Sequence, residues 1–118
     1  MKRLIFYTYP KCSTCRKASK WLVQNKINHK SIDITKESPS KKILELALTQ
    51  FSLDIKKIFN TRGKSFKSLD FDIHDLTEDR IIELLSNDGK LIKRPFLIID
   101  ESKLLVGFNE SEYISNFK

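Results

Sequence analysis

The sequence predicts an α/β fold: βαβ, a helical insert, then ββα, on a mixed four-stranded sheet. Three observations predict it. A short apolar run, Leu4-Ile5-Phe6-Tyr7, is followed almost at once by a helix-like pattern in which Ala18, Trp21 and Leu22 share a face. Two apolar runs near the C-terminus, Phe96-Leu97-Ile98-Ile99 and Leu104-Leu105-Val106, are separated by the polar turn Asp100-Glu101-Ser102-Lys103, the pattern of a hairpin. Between these ends the apolar residues recur at helical spacing, as in Ile43, Leu44, Leu46 and Ala47.

Each element has a local reason. Residues 4–7 read as a buried strand and residues 14–25 as a helix. Residues 27–34 alternate loosely and read as a second strand, parallel to the first because a helix joins the two. Ser38-Pro39 reads as a helix start, with Ser38 as N-cap and Pro39 at the first helical position. Leu53-Asp54-Ile55 opens a short helix bearing Ile58 and Phe59, and residues 61–65 are a polar break. Thr77 followed by Glu78 and Asp79 is an N-cap with an acidic first turn, leading into Ile81, Ile82, Leu84 and Leu85. Asn87-Asp88-Gly89 reads as the close of that helix. Asn109-Glu110-Ser111-Glu112 starts a terminal helix. This is the thioredoxin-like order with helices inserted at about residues 38–90. No repeat or interdomain linker interrupts it, so residues 1–118 are read as one domain.

Composition narrows the function. At 118 residues the chain is long enough for its own core. Two cysteines in one short motif do not make a disulfide framework. No signal-peptide pattern or membrane-spanning run is read in it, so a cytoplasmic protein is expected. The formal net charge is +7, but the lysines are spread along the chain among Asp and Glu. Arginine-rich stretches and aromatic stacking stripes are missing, so a solvated basic surface is expected rather than a nucleic-acid site. Such a surface steers anionic substrates or an acidic protein partner.

The chemistry concentrates in Tyr9-Pro10-Lys11-Cys12-Ser13-Thr14-Cys15-Arg16-Lys17. A strand, tight turn and helix place Cys12 at a helix N-terminus, where unpaired N–H groups and the helix dipole favour a thiolate. Lys11, Arg16 and Lys17 add positive charge. Such a thiolate attacks a disulfide, an oxidant or an oxyanion, and Cys15 resolves the product as a Cys12–Cys15 disulfide. Two other readings stay open. A zinc site needs about four ligands, and His29 and His74 are the other usual candidates, neither at short ligand spacing. Alternatively, Cys15 is a packed structural thiol. A stabilising staple is not expected, because the loop closed is too short.

Five landmarks together resemble one known family. They are the Cys12–Cys15 segment, Ser38-Pro39-Ser40, Phe59-Asn60-Thr61-Arg62-Gly63, Leu91-Ile92-Lys93-Arg94-Pro95, and Val106-Gly107-Phe108-Asn109-Glu110. In this order they are similar to the thioredoxin-fold family of glutaredoxin-coupled arsenate reductases, the Spx and MgsR regulators, and small uncharacterised relatives. The resemblance runs from Leu4 to about Tyr113. It implies that Cys12 is the reactive cysteine and Cys15 the second cysteine of the redox-switch members. It implies a cis proline at Pro95, with Arg94 presented to an anion or thiolate and Arg16 and Arg62 as further anion-binding candidates. It implies no bound cofactor or metal. Glutathione, glutaredoxin or thioredoxin would be the electron donor, and the protein would act as a monomer.

Two departures from the pattern matter. The arsenate reductases use three arginines around the oxyanion. Here only Arg94 is matched; Asn60 stands in the place of the first and Gly107 or Phe108 in the region of the third. One arginine holds a tetrahedral oxyanion less well than a converging cluster, so arsenate reduction is expected to be very weak. The regulators bind the RNA polymerase alpha subunit through a glycine in the insert, where this chain reads Ser52-Leu53-Asp54-Ile55. The regulators' longer tail is also not matched. The resemblance therefore implies a thiol oxidoreductase, with a redox-sensing transcriptional regulator as the alternative.

Overall fold

The computed structural model describes residues 2–118. The strands are β1 (Leu4–Thr8), β2 (Lys30–Asp33), β3 (Phe96–Ile99) and β4 (Lys103–Val106). The helices are α1 (Ser13–Gln24), α2 (Lys41–Gln50), α3 (Lys64–Lys67), α4 (Glu78–Asn87) and α5 (Glu110–Phe117). The sheet order is β2-β1-β3-β4. β1 runs parallel to β2 and antiparallel to β3, and β3 and β4 form an antiparallel pair. The sheet is thus mixed and thioredoxin-like, as the element order predicts.

The chain divides into two compact units. One comprises the N-terminal residues to Asp33 together with Arg94–Lys118; the other is Ile34–Lys93. In the first, β1 sends Leu4 and Phe6 to one face of the sheet, where Leu97, Ile99 and Leu105 join them. Ala18, Trp21 and Leu22 from α1 and Tyr113 from α5 complete that core. The Tyr113 ring meets Trp21, Phe108 and Phe117 with centroids 5.4, 4.8 and 5.9 Å away. These edge-to-face pairs add about 0.5–1.5 kcal/mol each beyond area burial. They fasten α5 to α1, the helix that carries the cysteines.

The second unit is built on α2 and α4, which pack against each other. Leu44, Ala47 and Leu48 are buried on α2, and Ile81, Ile82 and Leu85 on α4. Some local expectations are corrected here. The N-cap of α2 is Ser40, not Ser38: Ser40 Oγ accepts the Ile43 N–H at 3.3 Å, and the helix starts after Pro39 rather than with it. The segment after Leu53 forms only a 3-10 turn, Ile55–Lys57. Asn87-Asp88-Gly89 closes α4 as read, since the helix ends at Asn87, but Gly89 is not in the left-handed region. Asp88 ends that helix and caps the next turn, Gly89–Leu91, by accepting the Lys90 N–H at 3.0 Å. Gly89 is needed for space, since a Cβ there would lie 1.8 Å from the Ile34 carbonyl oxygen. The second strand is also shorter than residues 27–34, and the single helical turn α3 follows the polar break.

Candidate functional site

Cys12 is the N-cap of α1, extended at φ −93° and ψ 116°. Its sulfur accepts the Cys15 backbone N–H at 3.3 Å. Its own N–H donates to the Tyr9 carbonyl at 3.1 Å, closing the turn between β1 and α1, and its carbonyl accepts the Arg16 N–H at 3.1 Å. The helix thus begins with a half-buried sulfur at its N-terminal end.

Cys15 lies one turn further on the inner face of α1 and is only 1% exposed. Burial, and the hydrogen bond its thiol makes to Cys12, push that thiol up to about 11. Hydrogen bonds from the Thr8 hydroxyl and the Tyr9 backbone pull the other way without offsetting the burial. At neutral pH Cys15 is therefore a protonated donor facing Cys12. The two cysteines differ by placement: one caps a helix at the surface, the other is held as a thiol beneath it.

Arg94 precedes Pro95 through a cis peptide bond. Its guanidinium carbon lies 4.9 Å from the centre of the Tyr9 ring. Nη1 is enclosed and has no hydrogen-bond partner among the described residues. Pro95 is buried, and its carbonyl accepts the Gly107 N–H at 2.8 Å, which ties the Arg94 segment to the end of β4. Gly107 adopts φ 78°, a left-handed conformation in which a side chain is strained.

The other predicted anion ligands are placed differently. Arg16 turns back on the loop before Cys12, where its Nη1 donates to the Pro10 carbonyl at 2.9 Å. Arg62 is exposed on a turn of the second unit. Asn60 is half-buried in that unit; its N–H donates to Leu91 at 2.7 Å and its side-chain amide to Lys90 at 3.5 Å. Its side chain braces the backbone. Among the described residues no three His, Cys, Asp or Glu side chains are grouped to hold a metal ion.

The profile of the ArsC family matches residues 7–116, a span from the end of β1 to α5 that includes Cys12, Cys15, Arg94 and Pro95. The chain belongs to the ArsC family. This ArsC-family protein is 43% identical over 116 residues to the uncharacterized protein YusI of Bacillus subtilis, covering 97% of this chain and 98% of YusI. It is 34% identical over 113 residues to the regulatory protein MgsR of the same organism, covering 96% and 89%. A possible arsenate reductase from Streptococcus mutans superposes with a TM-score of 0.90 at 36% identity, covering 99% of this chain and 100% of the other.

Sequence reasoning missed Thr8 and Tyr9, which touch the cysteines, and Tyr113, whose buried hydroxyl is close enough to feel Cys15. For Tyr9 the signal lies in strand register. The β1–β3 pairing sets Tyr7 opposite Phe96. Carried two residues past the end of the ladder, it sets Tyr9 opposite Arg94.

Proposed function

We propose that this ArsC-family protein is a thiol–disulfide redox protein in which Cys12 attacks and Cys15 resolves. The observation that carries the reading is the asymmetry of the pair: Cys12 half-buried at the helix mouth, Cys15 buried and held protonated. The Cys12 thiolate attacks one sulfur of a substrate disulfide. A Cys12–substrate disulfide forms and one thiolate leaves. The Cys15 proton passes to that thiolate, and the Cys15 sulfur attacks Cys12. A Cys12–Cys15 disulfide forms and the second thiolate leaves, taking a proton from water. The substrate is reduced by two electrons and the cysteine pair is oxidised by two. Glutathione, glutaredoxin or thioredoxin returns the pair to the dithiol, and no bound cofactor takes part. Arg94 holds an anionic group of the substrate near the exchange, with Arg16 bracing the loop before Cys12. The protein works as a monomer in the cytoplasm.

The likeness to MgsR supports a second reading, in which the same disulfide switches a surface that binds the RNA polymerase alpha subunit. A Cys15→Ser trap separates the two. Pulled from cell extract, it holds a reductase or client through a mixed disulfide on Cys12 if the protein is an oxidoreductase. Polymerase alpha subunit recovered without a disulfide link supports the regulator.

A further inference from the structure

Tyr9 is the residue on which the parts of the candidate site meet. Its carbonyl takes the Cys12 N–H at 3.1 Å, its backbone N–H reaches the Cys15 sulfur, and its ring lies 4.9 Å from the Arg94 guanidinium carbon. A ring at that distance attracts the cation through its negative face. The ring cannot supply the acceptor that Arg94 lacks: Nη1 is enclosed and unpartnered. An enclosed donor of this kind is costly, and it leaves the remaining N–H groups of the half-buried side chain to meet an anion.

We propose that Tyr9 is a positioning residue that holds the Arg94 guanidinium over its ring, so that its fork selects a carboxylate-bearing disulfide or thiol as the partner of Cys12. The inference rests on the thiol–disulfide reading above and adds the substrate class to it. Held over the Tyr9 ring, the guanidinium stays beside the turn that carries Cys12. A planar carboxylate pairs with a guanidinium edge through two parallel N–H···O bonds, whereas a lysine would offer only a point charge. Because the Tyr9 backbone also holds both cysteines, one residue fixes the anion clamp relative to the reacting sulfurs. The net charge of +7 attracts every anion alike. Tyr9 adds a preference that depends on the aromatic face.

The test uses the Cys15→Ser protein, in which the mixed disulfide on Cys12 accumulates. Rates are measured with two small probes, dithiodipropionate, which carries carboxylates, and hydroxyethyl disulfide, which is neutral. The ratio of the two rates in one protein is independent of how much of that protein is folded. The ratio is expected to favour dithiodipropionate, to persist in Tyr9→Phe, and to fall about three- to ten-fold in Tyr9→Leu and in Arg94→Gln. The loss should appear as a raised half-saturating concentration for the carboxylate probe, larger than any change in the hydroxyethyl disulfide rate. A ratio unmoved by Tyr9→Leu overturns the inference and assigns the preference to overall charge. A Tyr9→Phe protein as impaired as Tyr9→Leu also overturns it, because the ring face is then not what acts. If neither probe forms a mixed disulfide on Cys12, the thiol–disulfide reading itself fails. If both react without preference, that reading stands and this inference alone falls.

Discussion

The backbone N–H of Cys15 lies 3.3 Å from the sulfur of Cys12, and the Cys15 thiol donates to the same sulfur. One residue thus offers two donors to the other. Burial and the thiol contact keep the proton on Cys15. The proposed direction of exchange, Cys12 first and Cys15 second, rests on that geometry.

The first prediction concerns reactivity. In the Cys15→Ser protein, Cys12 is expected to alkylate readily with iodoacetamide near neutral pH. In Cys12→Ser, Cys15 should react far more slowly and gain rate only above the ordinary thiol range, since it is 1% exposed. Alkylation rate against pH in the two variants checks this. A Cys15 that reacts as fast as Cys12 at neutral pH overturns the assigned order.

Burial of Cys15 also couples stability to pH. Its thiol is raised from 9.0 to about 11 on folding. Between those values the unfolded chain releases the proton while the folded chain keeps it, so the unfolded state binds fewer protons and stability falls as pH rises. The contribution is fully present below about pH 9 and is lost by about pH 11. Urea unfolding at several pH values should show this decline, and Cys15→Ala should flatten it. Tyr113, whose phenol burial also pushes up, adds a decline of the same sign at higher pH. Tyr113→Phe removes that part and leaves the Cys15 component visible.

Tyr113 makes a separate prediction. Its side chain is fully buried, and its hydroxyl has no hydrogen-bond partner among the described residues. An enclosed, unpaired hydroxyl costs about 1–3 kcal/mol in other proteins. Tyr113→Phe keeps the contacts with Trp21, Phe108 and Phe117 and removes that group, so it should leave stability unchanged or raise it by about 1 kcal/mol. Tyr113→Ala should instead lose about 3–5 kcal/mol. Denaturant midpoints separate the two. A Phe variant clearly less stable than wild type would mean that the hydroxyl has a partner in solution.

Features set by local chemistry were legible in the sequence. Thr77 caps α4 as read and α5 starts after Asn109 as read, because each side chain meets an N–H three residues on, at 3.3 and 3.1 Å. The turn between β3 and β4 was legible for the same reason, and so was Cys12 at the mouth of α1. Ser38 and Ser40 flank Pro39 and carry the same cap signal; only the reach of Ser40 Oγ to Ile43 decides between them. Gly89 looked like a helix end because glycine often is one. Its reason is the Ile34 carbonyl, distant in sequence. The Tyr9–Arg94 contact likewise needs the β1–β3 register, which no local pattern encodes.

Gly89 gives the fourth prediction. A Cβ at this position meets the Ile34 carbonyl oxygen at 1.8 Å and its carbon at 2.8 Å, both backbone atoms that cannot rotate away. Gly89→Ala should therefore cost about 1–3 kcal/mol or more through forced backbone shifts. Thermal unfolding checks it. Gly63→Ala is a useful contrast, because its Cβ meets the Asn60 side-chain nitrogen at 2.6 Å, a group able to move, so its cost should be smaller. Equal losses at the two positions would count against the backbone-clash account.

The last prediction concerns arsenate. Reduction should be very weak or absent with either glutaredoxin or thioredoxin as donor. A tetrahedral oxyanion needs converging charged donors, and the positions that resemble the family's arginines do not supply them. Asn60 is neutral, and its amide is turned to the Lys90 carbonyl. Gly107 has no side chain, and its N–H is bonded to the Pro95 carbonyl. Arg94 remains, with its guanidinium over the Tyr9 ring. Loss of one such donor to a transition state costs about a hundred- to a thousand-fold in rate where it has been measured. Losing two of three leaves little. NADPH oxidation coupled to arsenate decides the matter. Saturable turnover that disappears in both Cys12→Ser and Arg94→Ala would restore arsenate as the substrate. It would also show that Arg94 suffices, or that another cation such as Arg62 takes the missing places, which Arg62→Ala would reveal by abolishing the same turnover.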